Sequence, residues 1–386
     1  MRARPVLLMA AGLHMVTETA LAPFYPALFR AAFGVHDLAA TGYFITFSRV
    51  AAIAAVPLWG MATRRWRIEQ LVLVGQSVAV VLTACLALAP SYAVFTATGV
   101  ALVAVKAVVL LAYPKTAGTH QGGLLPGVRQ YVAVLQVAVV AASGLGTLIV
   151  SSPDPRQALP LLAVVEAGLL VVCVIALRTS DAQPVVDPPV SPLPGMPRSA
   201  LAPLAVLVLG FALAGAVVRP YFTEYTTGAG QSELVGALLF GAAHVAALVS
   251  VLRLRAVPPG PVVPFVLAAA GLAAQAAVTD PVLLALGRVV FGVGLGLGQV
   301  ALDFRVLTAA QGSGAAYGLV AAAQHAGLLS APLIAMAGAT HDLALPLVIG
   351  AGLFAVLAIV TAPVLNNASA PRPRSTEVTD VSVRAT

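Results

Sequence analysis

The chain has 386 residues, 60% of them hydrophobic and 9% charged, with a formal net charge of +7. Soluble domains are about half apolar and about a quarter charged, and a surface this poor in charge would expose aggregating apolar patches, which excludes a water-soluble globular fold. The basic residues sit in short segments between apolar runs, where they set the orientation of a membrane protein, so the positive charge is not read as a nucleic-acid footprint.

A membrane-crossing helix needs about 20 mostly apolar residues. Cutting at charges, Pro/Gly turns and polar clusters predicts twelve, over 5–30, 38–59, 69–90, 92–113, 128–150, 158–178, 200–222, 233–252, 260–279, 282–304, 316–339 and 344–364. The first imitates a secretory signal, with Arg2, Arg4 and Ala20-Leu21-Ala22. Its apolar run is broken by His14, Thr17 and Glu18 and resumes after Pro23, so it reads as a retained span.

With the N-terminus inside, the inner segments hold Arg2, Arg4, Arg64, Arg65, Arg67, Lys115, Arg129, Arg178, Arg198, Arg253, Arg255, Arg305, Arg372, Arg374 and Arg384. The outer loops hold Arg30 and Arg156 and carry Asp37, Asp154, Glu233, Asp280 and Asp342. Both termini are therefore expected in the cytoplasm. Only two of the 21 basic residues are Lys, a bias that points to a GC-rich bacterial source and a cytoplasmic (inner) membrane.

Residues 1–178 form one six-span half, 179–199 a Pro-rich cytoplasmic linker, 200–364 a second six-span half and 365–386 a disordered cytoplasmic tail. The plan is all-α and duplicated, as in secondary transporters. GVRQYVAVLQVAVVAASG (127–144) and GAAYGLVAAAQHAGLLSA (314–331) echo each other weakly, each with Gly, Tyr, Gln and Ser in that order.

The segment LWGMATRRWRIEQL (58–71) resembles the Gly-x-Leu-Ala-Asp-Arg-x-Gly-Arg loop of the major facilitator superfamily. Gly60, Ala62 and Arg65 match its Gly, Leu and first Arg positions, whereas Arg64 replaces the family's Asp and Arg67 its second Gly. APFYPALFRAAFG with SRVAAIAAVPLWG is similar to the family's first two spans. Arg288 before GVGLGLGQ is similar to its Arg-then-Gly-rich fourth span, here in the tenth. The resemblance implies a twelve-helix fold, alternating access, and a central cavity lined by spans one, four, seven and ten. The Gly-Pro…Gly-Gly signature of drug antiporters is missing from span five, where SGLGT stands instead.

Charge deep in a membrane costs about 2.5–3.5 kcal/mol on insertion scales and marks a cavity or a partner. His14 and Glu18, at i and i+4, share a helix face, and Tyr25 follows on that side beyond a bend expected at Pro23 and Pro26. Glu18 suits proton loading and release, with His14 beside it, and a fixed ion pair with Arg49 is the alternative. Arg49 is always charged and either anchors Glu18 or meets a substrate anion.

Lys106 is expected to take an anionic group, to accept a proton with a depressed pKa, or to pair with an acid from another span; Glu166, on a scaffold span, to pair internally. Arg288, Tyr25, Gln324 and His325 are further cavity candidates, although a membrane His is as often packing, as for His244. Arg219 and Glu224 are expected to pair near the outer mouth. Gly60, Arg64, Arg65, Asp303 and Arg305 are assigned to cytoplasmic gating. Gly292, Gly294, Gly296 and Gly298 are read as close helix packing.

No metal set, nucleotide loop or hydrolase triad is present in the sequence, so an enzyme, a metal and an organic cofactor are not expected. Cys85 and Cys173 both fall in apolar segments and are expected to be buried and inert. The expectation is a monomeric carrier exporting a small anionic or zwitterionic molecule against protons, in contact with membrane lipids. Proton-coupled uptake of an anionic metabolite and a lipid flippase of the same fold are the alternatives.

Overall fold

Several helices start where a polar side chain can take up the free donors of a first turn. Asp37 accepts from the Ala39 N–H at 2.8 Å, Ser91 from Val94 at 3.4 Å and Ser232 from Val235 at 3.3 Å. The computed structural model describes residues 12, 14–63, 65–108, 123–178, 198–256, 260–310 and 314–368. Residues 14–19 are helical, then follow a 3-10 turn Ala22–Phe24, α1 Tyr25–Phe33, α2 Leu38–Ala62, α3 Ile68–Ala87, α4 Tyr92–Lys106 and α5 Leu124–Val150. Next come α6 Pro155–Ala158, α7 Pro160–Arg178, α8 Arg198–Val217, α9 Phe222–Gly228 and α10 Glu233–Arg253. The last are α11 Val262–Ala276, α12 Pro281–Ala310, α13 Gly314–Ala339 and α14 Leu345–Ala368.

Among the described residues there is no strand, and nine helices are long and apolar enough to cross a membrane. The shorter α4 and α11 cover the predicted fourth and ninth spans. Large apolar side chains such as Val164, Ile175, Val206 and Ile359 point outward, as lipid-facing residues do. This is a multi-pass membrane protein.

Several spans depart from their expected form; the fifth starts four residues early, at Leu124, and the tenth runs six residues past its expected end, to Ala310. The first breaks at Ala20–Phe24, where Pro23 and Pro26 interrupt the helical ladder. The seventh breaks at residues 218–221 around Pro220. The last helix continues to Ala368, four residues past its expected end, so the segment expected to be disordered begins as helix. Residues 109–113 of the fourth span, most of the 179–199 linker and the rest of the tail lie outside the described residues.

Two aromatic-rich cores hold the bundle. Phe24, Phe29, Phe44 and Phe95 pack together early in the chain; Phe222, Phe265, Phe291 and Phe354 form the later core. Val139 of α5 belongs to the later core and Ala237 of α10 to the earlier one. α5 and α10 therefore interlock across the seam. α12 packs just as closely. A Cβ at Gly292 would strike the Ala243 carbonyl of α10, and one at Gly294 would meet Ala268 and the Pro264 carbonyl of α11.

Candidate functional site

The break at residues 20–24 leaves the preceding turn of helix as a hub for two charge clusters. In the first, Glu18 Oε2 lies 3.1 Å from His14 Nε2 and Glu18 Oε1 lies 3.2 Å from Arg49 Nη1. The antiparallel packing of the first span and α2 brings these groups to one depth. Glu18 is therefore both an i,i+4 partner of His14 and a bridge to α2. His14 Nδ1 is buried and has no hydrogen-bond partner among the described residues.

In the second cluster, Lys106 Nζ donates to Glu166 Oε1 at 2.6 Å and to Thr17 Oγ1 at 2.5 Å. Glu166 also accepts from the Gln76 amide. Lys106 is 5% and Glu166 0% exposed, burial that such groups tolerate only when paired. The expected role of Lys106 as a docking point for substrate anions is corrected: its charge is spent on Glu166, a partner on α7 at the same depth. Glu166 pairs internally, as expected.

A cavity of about 50 Å³ joins the clusters, with Glu18, Tyr25, Lys106 and Glu166 in its wall. Organic ligands occupy about 300–1,000 Å³, whereas a water needs one probe sphere of about 10–15 Å³. The space suits a few waters and no organic molecule. Tyr25 thus shares a cavity with Glu18 although the helix between them is broken.

The seam between the two groups of helices is bonded at several points. Arg30 Nη2 meets Glu224 Oε1 at 2.9 Å. Tyr221 donates to the Leu38 carbonyl at 2.9 Å, and the Thr223 hydroxyl donates to the Pro23 carbonyl. Toward the other end, Arg129 donates to the carbonyls of Val251 at 3.2 Å and Leu252 at 2.8 Å. Midway, Gln136 Oε1 lies 2.7 Å from His244 Nδ1, and Gln136 donates to Gln299 at 3.4 Å. Gln136 lies in α5 and His244 in α10, so His244 bridges the seam.

The expected Arg219–Glu224 pair is not formed. Pro220 ends α8 and turns the chain, so Glu224 points to Arg30, 194 residues away. Half-buried Arg219 makes no side-chain hydrogen bond or ion pair among the described residues, and the fields that reach it come from Arg49 and Glu18.

Arg288 is likewise corrected. It is 2% exposed inside the later core, not at a cavity wall. Its Nε donates to the Leu239 carbonyl at 3.1 Å and its Nη2 to that of Phe240 at 3.2 Å. The guanidinium lies 4.1 Å from the Phe222 ring centroid, so carbonyl dipoles and a ring face hold the charge.

Toward the end expected to be cytoplasmic, Gln324, Asp303 and Tyr317 line a gap of about 20 Å³. Asp303 acts electrostatically on Tyr131 and Tyr317, the tyrosines of the two weakly similar segments. Arg305 donates to the Ala301 carbonyl of its own helix at 3.1 Å. His325 Nδ1 lies 2.7 Å from the Ala321 carbonyl one turn back, so it bonds within α13. Gly60 is half-buried and Arg65 exposed; Arg64 lies outside the described residues. Cys173 is buried, but Cys85 is exposed on the bundle's surface.

No family model matches the chain, and no curated protein matches it. Solved structures do. The human organic anion transporter MFSD10 (TETRAN) superposes with a TM-score of 0.66 at 18% identity, over 93% of this chain and 98% of that one. The nucleoside transporter NupG, as a D323A mutant, gives 0.67 at 12% identity over 92% and 98%. The chain has the major facilitator fold. Both similar structures are of transporters rather than enzymes.

Proposed function

We propose that the protein is a secondary transporter that exports a small anionic or zwitterionic organic molecule in exchange for protons. Two six-helix halves, twelve spans in all, rock about a midplane site in a cytoplasmic membrane. Both termini are cytoplasmic and the carrier is monomeric. The observation that carries this reading is Glu18, shared between His14 and Arg49 beside a break in the first span.

A carboxyl whose partners sit on different elements changes its surroundings when those elements move, and such a group can load and release a proton. When Glu18 is protonated, Arg49 loses its counter-charge, which ties the proton to the charge state of the seam. The organic anions and nucleosides named for the two similar structures set the cargo classes to screen first.

The test uses the full chain in proteoliposomes with pyranine trapped inside. Organic anions and nucleosides are added under an imposed pH gradient. At least one cargo is expected to drive proton movement in the wild type, and Glu18→Gln is expected to abolish it while leaving insertion intact. Proton movement unchanged by Glu18→Gln refutes the coupling role.

A further inference from the structure

The ammonium of Lys106 sits in a cage of oxygens. An ammonium has three protons to give, and three oxygens of different kinds surround this one. They are the Glu166 carboxylate at 2.6 Å, the Thr17 hydroxyl at 2.5 Å and the His14 carbonyl at 3.5 Å. Thr17 donates its own proton to the His14 carbonyl at 3.1 Å, which leaves the lone pairs of its hydroxyl for Lys106. The three ligands are thus acceptors facing one buried point, and they come from α7 and from the turns of helix before the break in the first span.

Carboxylate, hydroxyl and carbonyl oxygens are also what a hard metal cation takes. The cage carries one formal negative charge, that of Glu166, so it neutralises a monovalent ion and leaves a divalent one half-matched. Glu18, in the wall of the adjoining cavity, is already engaged by His14 and Arg49. That cavity, of about 50 Å³, has room for the waters that complete the shell of a small ion.

We infer that the oxygens of Glu166, Thr17 and His14 form a site for a monovalent metal cation of the size of sodium, and that Lys106 fills it with a cation tied to the chain. A free ion occupies a site according to its concentration; a tethered ammonium occupies it at any concentration. The arrangement makes the carrier indifferent to sodium on either side of the membrane. It rests on the transport reading above for its purpose, and adds to it which ion is refused and by which residue.

The test withdraws the tether. Lys106→Ala removes the ammonium and opens space for an ion, whereas Lys106→Met removes the ammonium and leaves the space filled. Each full chain, purified in detergent, is melted in sodium chloride and in choline chloride of equal ionic strength. Sodium at about ten times its Kd should raise the melting temperature of Lys106→Ala by about 3 °C over choline. Wild type and Lys106→Met should melt alike in the two salts. Radioactive sodium retained by the purified protein gives a second readout: binding to Lys106→Ala, none to wild type, and none to Lys106→Ala/Glu166→Gln.

A Lys106→Ala protein that ignores sodium, or a wild type that binds it as well, overturns the inference. So does a sodium shift in Lys106→Met equal to that in Lys106→Ala. Should Lys106→Ala not give a monodisperse peak, Lys106→Ser carries the same test. Both readouts need no cargo, and failure of proton coupling in the pyranine assay leaves them untouched, so the two readings fall separately.

Discussion

Replacing Lys106 with Met keeps most of the side-chain volume but strands the Glu166 carboxylate, which is 0% exposed and loses a 2.6 Å partner. Removing one member of a buried pair costs about 3–5 kcal/mol. Gln76 still donates to Glu166, which places the expected loss toward the lower end of that range. The double variant Lys106→Met/Glu166→Leu removes both charges and leaves Gln76 and Thr17 short of a partner, about 1–3 kcal/mol. The expected order of stability is wild type, double variant, then Lys106→Met. Purified protein in detergent, melted at one fixed scan rate because large proteins commonly unfold irreversibly, gives that order directly. If Lys106→Met melts with the wild type, or the double variant lies below it by the sum of the single losses, the two charges do not stabilise the bundle as a buried pair.

The other outcomes follow from the same geometry. The Arg30–Glu224 pair has an Arg that is 41% exposed, so Glu224→Gln should change stability by about 0–1 kcal/mol at most; a loss matching Lys106→Met in the same melts would contradict a rim role. Gly292→Ala drives a methyl into the Ala243 carbonyl, whereas a methyl at Gly241 meets nothing within 4 Å. The first should lower the melting temperature and the monodisperse yield, and Gly241→Ala should leave both unchanged. Arg288→Lys keeps the charge but not the fork spanning the Leu239 and Phe240 carbonyls. It should cost about 2 kcal/mol, read as a lowered melting temperature.

The span pattern was legible because apolar runs of membrane length have few other uses. The bond between Glu18 and Arg49 was legible too, since consecutive antiparallel spans place residues 31 positions apart at one depth. Lys106 and Glu166 were harder: their meeting depends on the rotation of two helices about their axes, and helices apolar all round reveal no preferred face. The Arg219–Glu224 expectation failed for a local reason. Pro220 turns the chain between them, and Glu224 meets Arg30 instead. Arg288 was misplaced because a fully buried arginine satisfied by carbonyls and rings leaves no acidic partner in the sequence to find.

The bonds to backbone oxygen across the seam have a further consequence. Tyr221, Thr223 and Arg129 each donate to a carbonyl rather than to a side chain. A carbonyl is supplied by any of the twenty residues, so the accepting positions 38, 23 and 251 can change identity without breaking the contact. Only the donors are held to particular chemistry. Half of each contact is thus invisible to sequence comparison, and a chain assembled this way can share a fold over more than nine-tenths of its length while agreeing with its counterparts at 12–18% of positions.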